Sequence, residues 1–173
     1  MENRKKVKEF IKSEFTEVIV KEDNFRDQDI FYIKPDSIFE VCQAIYENDD
    51  LEMNYLTEIT ALDWLGHEKE SDGRFEVIYV LYSLKYHNHL FLKVHLPESK
   101  PIVKSITNIF AGANWMEREA FDLMGIVFEG HPNLKKIVTA DELEGHPLRK
   151  DFRKKYEVPV FSWNKDDPPE VIN

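Results

Sequence analysis

Hydrophobic spacing in the first fifty residues predicts two helices and two short strands. Apolar positions recur every three or four residues over residues 2–14 and again behind Ser37, which is the spacing of an amphipathic helix. Runs rich in β-branched and aromatic residues at 16–20 and 29–34 predict strands. Ser37 and Glu40 have the spacing of a capping box, so the second helix is expected to begin at Ser37.

The middle of the chain carries the strongest strand signals. Residues 74–86 are apolar on both faces, which is typical of a strand inside a sheet that is covered on both sides. Residues 89–96 alternate between apolar and polar side chains, as a strand with one buried face does. A further strand is predicted at 53–64, and two short helices are predicted at 103–110 and 115–124.

These elements predict an α+β fold, with a mainly antiparallel or mixed sheet and helices packed on it, over residues 1–124. The pattern weakens from residue 125 onwards, where glycine and proline are frequent and no clear period continues. Apolar residues in this stretch, among them Phe128 and Trp163, argue against plain disorder. We therefore expect residues 125–173 to form an extended, irregular segment that takes its shape by wrapping a partner protein.

Composition and charge argue against several classes of protein. A net charge of −10, from 33 acidic and 23 basic residues, disfavours nucleic acid as a partner. The single cysteine, Cys42, allows no internal disulfide and no four-thiolate cluster, and its place on the apolar helix face predicts a buried side chain. No apolar run approaches the roughly 20 residues of a membrane helix. Neither a signal peptide nor a phosphate-binding glycine loop is expected.

The densest group of charged side chains lies in the predicted helix near residues 114–125. Asn114 is the expected N-cap, and Gly125 is expected to end the helix in the left-handed conformation. Glu119 and Asp122 could act as a general acid and base if a substrate lay between them. The competing interpretation is a charged helix face that forms ion pairs, and we favour it because no nucleophile, metal set or glycine loop converges there.

A short motif occurs twice, fifteen residues apart. Glu-Gly-His-Pro begins at residues 129 and 144, and each copy is followed by a leucine and two basic residues. Proline after His131 and His146 favours an extended histidine and then a turn. Arg149 could bind a carboxylate through two parallel hydrogen bonds, so we interpret the repeat as an anchor for an acidic, partly apolar surface. The same histidines lack a third ligand at a usual spacing, which makes a zinc site the weaker interpretation.

The stretch from residue 105 to 152 resembles the signature of the 30-kDa subunit family of respiratory complex I. That family includes the corresponding subunit of energy-converting membrane-bound hydrogenase complexes. The resemblance implies that its motif residues determine the fold and an interface. These residues are Glu117, Arg118, Glu119, Asp122, Gly125, His131, Pro132, Leu134, Gly145, His146, Pro147, Leu148, Arg149, Lys150 and Asp151.

The resemblance implies a peripheral-arm subunit of a complex-I-type, membrane-bound, redox-driven ion-translocating oxidoreductase. Such a subunit holds no cofactor and has no catalytic or metal-binding residue. It braces the hydrogenase-like large subunit, lies near small iron–sulfur subunits, and meets the membrane arm only indirectly. Iron–sulfur clusters, and [NiFe] or FMN, are then expected in partner subunits. The expected location is the cytoplasmic side of the membrane.

Three alternatives stay open at this point. Arg153 stands where quinone-type members usually have a proline, which favours comparison with the equivalent subunit of a membrane-bound [NiFe] hydrogenase or sulfur-reducing complex. A free-standing acid–base enzyme using Glu119 and Asp122 is the second alternative. A metal-binding module using His87, His89 or His131 is the third, and a solvated strand face is the simpler interpretation of the first two histidines.

Overall fold

The computed structural model describes residues 2–26 and 28–152, which form three helices and seven strands. The helices are α1 (Glu2–Glu14), α2 (Ile38–Glu47) and α3 (Ala113–Met124). The strands are β1 (Ile19–Phe25), β2 (Gln28–Ile33), β3 (Tyr55–Asp63), β4 (Phe75–Ser83), β5 (Asn88–Leu96), β6 (Ile102–Lys104) and β7 (Val127–Glu129). Short 3-10 helices occur at Thr16–Val18, Pro35–Ser37 and Glu68–Asp72.

Five of the strands form one mixed sheet in the order β1-β2-β5-β4-β3. The β2–β5 pair is parallel, and the other three pairs are antiparallel. β4 therefore lies inside the sheet, as its continuous apolar run predicts. β6 and β7 pair in parallel as a separate two-stranded ladder. This arrangement confirms the prediction of an α+β fold with a mixed sheet.

One face of the sheet contributes to the hydrophobic core with side chains from all three helices. Alternation along β4 and β5 brings Tyr79 and Leu92 to this face, and both are fully buried. Ile11 of α1 and Cys42 of α2 belong to the same buried cluster. Burial raises the pKa of the Cys42 thiol, so the side chain stays a neutral core residue, as its position on the apolar helix face predicts.

The predicted helix at 103–110 is wrong. Ile102–Lys104 is instead strand β6. Its partner is β7, Val127–Glu129, which comes after α3 in the chain. The buried Val103 and Ile106 have helical spacing, but the ladder with β7 determines the backbone of this stretch. A pairing between segments so far apart in the chain leaves no local periodic signal.

The structure also differs from the sequence prediction at three element starts. Ser37 ends the 3-10 helix Pro35–Ser37 and makes no side-chain capping bond, because Pro35 begins the helical turn earlier than the capping box predicted. α3 begins at Ala113 after Gly112, so Asn114 is inside the helix rather than its N-cap. The first predicted strand, 16–20, is a 3-10 turn at first and becomes extended only at Ile19.

Gly125 ends α3 in the left-handed conformation, with a φ of 73°, as predicted. After it, β7 is the one strand within residues 125–152, and the remainder of that stretch is turns and irregular chain. The irregular stretch returns to its own domain, since Leu148 bonds to Leu123 and Lys150 bonds to Asp63. Residues 153–173, which include Arg153 and Trp163, lie outside the described residues.

Candidate functional site

Asp122 connects α3 to the chain that follows the first His-Pro turn. Its Oδ2 accepts the backbone N–H groups of Ile137, Val138 and Thr139 at 2.9, 2.8 and 2.9 Å, and its Oδ1 accepts the Thr139 hydroxyl at 2.5 Å. Burial by itself would raise the pKa of Asp122, but these four donors outweigh burial and lower the pKa to about 2. Asp122 is therefore an ionised, fully buried anchor and not part of an exposed charged helix face.

Glu117 has a different environment one and a half turns earlier in α3. It is fully buried, and its Oε1 accepts the backbone N–H of Ile106 at 2.8 Å. Burial raises the pKa of Glu117 to about 7. The residue fastens α3 to the turn after β6, so its place in the family motif has a structural explanation.

Arg118 and Trp115 form one exposed edge of α3. The Arg118 guanidinium donates from Nε to the Lys135 carbonyl at 3.0 Å and from Nη2 to the Lys136 carbonyl at 3.2 Å. It also lies 5.2 Å from the centre of the Trp115 ring, a cation–π arrangement. The ring itself is 63% exposed. Arg118 therefore positions the segment near residue 135 while it supports an exposed tryptophan.

The first His-Pro turn rests on the N-terminal half of α3. His131 accepts the N–H of Asn133 at Nδ1, at 3.0 Å, which assigns the proton of a neutral ring to Nε2. Nε2 then donates to the Asn114 carbonyl at 3.1 Å. Pro132 is exposed, whereas Leu134 packs against the core. The histidine thus orients the turn through both ring nitrogens.

The second His-Pro turn binds the last carbonyls of α3, which have no partner inside the helix. His146 Nδ1 donates to the Asp122 carbonyl at 2.8 Å, and the Leu148 N–H donates to the Leu123 carbonyl at 3.0 Å. Arg149 Nε donates to the Met124 carbonyl at 2.7 Å. Three consecutive carbonyls are satisfied in this way, and the arginine charge also complements the negative end of the helix dipole.

Gly125 leaves room for this turn. A Cβ at this position would lie 2.4 Å from Arg149 Nη2 and 2.4 Å from His146 Nε2. Gly145, with a φ of 89°, permits a second close approach, since a Cβ there would be 3.2 Å from the Phe152 ring. The glycines of the motif therefore serve both a left-handed backbone and direct side-chain contact with it.

A buried ion pair outside α3 holds the end of the second turn. Arg74 donates to Asp63 through Nε at 3.1 Å and Nη2 at 3.0 Å, and both side chains are almost fully buried. The Lys150 N–H donates to Asp63 Oδ2 at 2.9 Å, and Arg74 Nη2 also bonds Asp151 at 2.7 Å. Burial would raise the pKa of Asp63, but the hydrogen bonds from Arg74, Lys150 and Leu65 lower it to about 2.

The sequence pattern did not indicate the Asp63–Arg74 pair. It suggested instead that Arg149 binds a carboxylate through two parallel hydrogen bonds. Arg149 instead binds main-chain carbonyls and lies 4.9 Å from the centre of the Phe75 ring. Arg74, and not Arg149, binds the Asp63 carboxylate through two parallel bonds. Asp63 and Arg74 flank the turn between β3 and β4, and an Asp and an Arg at facing strand ends are the signal that could have identified them.

The proposed catalytic and metal-binding groups are not assembled. Glu119 is exposed while Asp122 is buried and bonded to four donors, so the two carboxylates do not face a common space. His87 and His89 both lie near Tyr82, with ring centres 6.4 and 4.5 Å from it. Among residues 2–26 and 28–152, no three His, Cys, Asp or Glu side chains are grouped to hold a metal ion. Within the same residues, no helix combines the length and apolar character needed to cross a bilayer.

What the motif residues build is a firmly held surface with exposed apolar side chains. Trp115, Val138 and Leu148 are 63%, 60% and 56% exposed. Leu148 also lines a shallow groove with Ala61 of β3 and Leu123 of α3. We call α3 together with residues 130–152 the motif surface. In this surface the backbone is anchored by hydrogen bonds while these three apolar side chains protrude.

Comparison with known sequences gives one family. The family described as respiratory-chain NADH dehydrogenase, 30 Kd subunit, matches residues 31–158. The chain is 37% identical over 160 residues to the C subunit of NADH-quinone oxidoreductase from Roseiflexus sp. (strain RS-1), and the match covers 92% of this chain and 90% of that protein. It is 45% identical over 104 residues to NADH-quinone oxidoreductase subunit 5 of Thermus thermophilus, and that match covers 57% of this chain and 50% of the relative.

Two solved structures share the fold. One is Nqo5, described as a trypsin-resistant fragment (1-134), with a TM-score of 0.66 and 29% identity over 76% of this chain and 99% of that one. The other is a chain of the membrane-bound sulfane sulfur reductase, an archaeal respiratory membrane complex, with a TM-score of 0.73 and 24% identity over 90% of this chain and 88% of that one. The family match and the relatives together show that the chain belongs to the family of the 30 kDa subunit of respiratory-chain NADH dehydrogenase.

Proposed function

We propose that this chain is a cofactor-free peripheral-arm subunit of a complex-I-type oxidoreductase and braces the hydrogenase-like large subunit of that complex. One observation carries the proposal. The family-motif residues use their polar atoms to fasten the two His-Pro turns to α3 and the sheet, while apolar side chains such as Trp115 and Leu148 remain exposed. This arrangement offers a partner an anchored surface with exposed apolar groups.

A surface that is already held in place suits a bracing role. Because Asp122 and Arg149 fasten the turns within the chain, a partner need not supply the free energy to order them. Tryptophan and arginine are the residue types that most often dominate interface energies, and here Arg118 stacks on Trp115. A rigid brace matters for a redox complex because small displacements of reacting groups can cost a large part of a rate.

The remaining assignments follow from the same family membership. Residues 125–173 are proposed to lie along the large subunit, and the small iron–sulfur subunits are proposed as further neighbours. The membrane arm would be met only indirectly, with the complex on the cytoplasmic side of the membrane. Iron–sulfur clusters, and [NiFe] or FMN, would reside in the partners.

The alternative within the family is the equivalent subunit of a membrane-bound [NiFe] hydrogenase or sulfur-reducing complex. The shared fold with a chain of the sulfane sulfur reductase supports keeping this alternative. The partner content of the native assembly distinguishes the two: a flavin-bearing NADH module indicates the quinone-reducing branch, and its absence indicates the other.

The test is to isolate the native assembly through a tag on this chain and compare two double variants. Trp115→Ala with Val138→Ala should reduce the co-purified large subunit at least about tenfold, as expected when interface hot spots are truncated. Phe25→Ala with Leu84→Ala removes exposed apolar groups away from the motif surface and should leave recovery unchanged. Equal recovery in both double variants, with both chains folded, would contradict the proposal.

A further inference from the structure

The main sheet has a cleft on the face opposite to α3, and this cleft is outside the motif surface. It has a volume of about 430 Å³ and lies between β1, the end of β2 and the 3-10 helix Glu68–Asp72. Its lining includes Val20, Lys21, Tyr32, Lys69, Asp72 and His95. A volume of this size is within the range of binding pockets, and the cleft is open on one side.

Strand alternation determines which face carries the cleft. Phe31 and Leu92 point into the core shared with the helices, so their neighbours Tyr32 and Lys93 point to the other face. The same alternation applies to β4. Val77 points into the core, so its neighbour Glu76 points to the other face, where it lies beside Lys93. The cleft and α3 are therefore on opposite faces of the sheet.

The floor of the cleft is built from two stacked rings over a buried ion pair. Tyr32 and His95 are parallel within 8°, with ring centres 5.5 Å apart. Below them lies the fully buried Glu76 carboxylate. It accepts hydrogen bonds from Lys93 Nζ at 2.7 Å and from Trp64 Nε1 at 3.2 Å, and His95 Nε2 lies 3.3 Å from its Oε2. The negative charge of Glu76 is thus neutralised inside the protein, and the floor is held from behind.

The rim carries lysines whose charges are not neutralised by a carboxylate. Lys21 lies 5.3 Å from the centre of the Tyr32 ring, and Lys69 lies 4.6 Å from the centre of the Trp64 ring. Neither lysine takes part in an ion pair within the described part of the chain. Asp72 is on the same rim, so the rim has a net charge of +1 on a chain with a net charge of −10. Val20, which is 67% exposed, adds an aliphatic group beside the lysines.

We propose that this cleft is a second protein-docking site, which takes an acidic segment with an apolar side chain from another subunit of the same complex. The apolar side chain would lie against Val20 and Pro35, and a neighbouring carboxylate would reach Lys21 or Lys69, for which charge complementarity is the argument. A peptide can cross a half-open cleft of this kind, and the family is one of subunits in larger assemblies. The proposal rests on the proposed function, since it assumes the same complex. With the motif surface on the opposite face, the sheet would then bridge two partners.

The experiment uses the assembly isolated through a tag on the full chain, with the photocrosslinking residue p-benzoylphenylalanine in place of Val20. The matched control carries it at Phe25, which is on the same strand and is 58% exposed. We expect the Val20 position to crosslink to a segment of another subunit that has Asp or Glu close to an apolar residue. In that background, Lys21→Glu with Lys69→Glu should lower the crosslink yield at least about fivefold. Lys6→Glu with Lys85→Glu, two exposed lysines away from the cleft, should not.

Reversing the charge of the crosslinked acidic residue should restore the yield in the Lys21→Glu, Lys69→Glu chain. The proposal is overturned if the crosslink yield at Val20 does not exceed that at Phe25, if the crosslinked segment lacks a carboxylate, or if the adduct is a lipid or small molecule. It is also overturned if reversing the charge of the crosslinked acidic residue has no effect on the yield. Failure here with the large subunit still bound would leave the bracing role intact. Loss of the large subunit from the motif-surface variants would not bear on the cleft.

Discussion

The backbone N–H of Lys150 donates to Asp63 Oδ2 at 2.9 Å, although 87 positions separate the two residues in the chain. The same carboxylate receives two bonds from Arg74, and Arg74 also bonds Asp151. The end of the second His-Pro turn is therefore tied to the sheet by a buried ion pair. The shape of the motif surface depends on these strand-end residues as much as on the motif itself.

Arg74→Met should destabilise the protein strongly, because it leaves the carboxylate of Asp63 buried without its partner. Breaking one side of a buried pair typically costs about 3–5 kcal/mol, and a loss of this order is expected in urea denaturation of the full chain. Lys85→Met, which breaks the exposed pair with Glu52, is the control and should change stability little. Similar unfolding midpoints for the two variants would show that the Asp63–Arg74 pair is not an anchor.

Asp122→Asn should release the chain at residues 137–139. An amide keeps the size of the side chain but loses its charge. Its NH2 group cannot accept hydrogen bonds from Thr139 or the backbone N–H groups, so the free energy of unfolding should fall by about 2–4 kcal/mol. Hydrogen exchange at the amides of Ile137, Val138 and Thr139 should become faster. Asp141→Asn, at an exposed position, should leave those amides protected.

The low pKa of Asp122 adds a pH dependence with a definite sign. Its folded-state pKa of about 2 is below the ordinary value of 3.8, so its stabilisation is present above pH 3.8 and is lost as the pH falls through 2. The Asp122→Asn chain should therefore lose less stability than the natural chain over that acid range. Parallel acid titrations of the two proteins would contradict this assignment.

Gly125→Ala and Gly130→Ala separate backbone strain from side-chain contact. Both glycines have a positive φ, 73° and 86°, so each alanine should cost about 1–2 kcal/mol in strain. Only at Gly125 would the new Cβ meet side chains, those of Arg149 and His146, whereas nothing lies within 4 Å at Gly130. Gly125→Ala should therefore cost about 1–3 kcal/mol more. Equal unfolding free energies would mean that the second His-Pro turn adjusts without cost.

Glu117→Gln should flatten the dependence of stability on pH near neutrality. The pKa of Glu117 is raised from 4.5 to about 7, so the folded state keeps a proton that the unfolded chain has lost, and stability falls as the pH rises through 7. This difference in pKa corresponds to at most about 3 kcal/mol at high pH. Glutamine has no proton to lose and can still accept the Ile106 N–H.

Thermal unfolding between pH 5 and 8.5 measures this effect. The Glu117→Gln chain should gain stability relative to the natural chain as the pH rises. Glu119→Gln, at the exposed position two residues on, should follow the natural chain across the range. A constant difference between the Glu117→Gln and natural proteins would contradict a raised pKa at this site.

The amino-acid sequence by itself was sufficient for the main strands, the C-terminal end of α3 and the family. β4 was recognisable because a strand inside a sheet with covered faces is apolar throughout, and the end of α3 was recognisable because Gly125 tolerates a left-handed backbone. The helix face of Ile38, Val41 and Cys42 followed from its period in the same way. These features depend on neighbours within a few residues, which a linear pattern records.

Only the tertiary structure decided what the polar atoms of the motif do. Local spacing put Asp122 on a charged helix face, yet it is buried because donors fifteen to seventeen residues later surround it. Local spacing also assigned a carboxylate to Arg149, but Arg74 holds the carboxylate because β3 and β4 bring Asp63 beside it. The physical reason is the same in both cases: a buried charge is stable only where distant parts of the chain supply its hydrogen bonds, and no local pattern encodes which parts will meet.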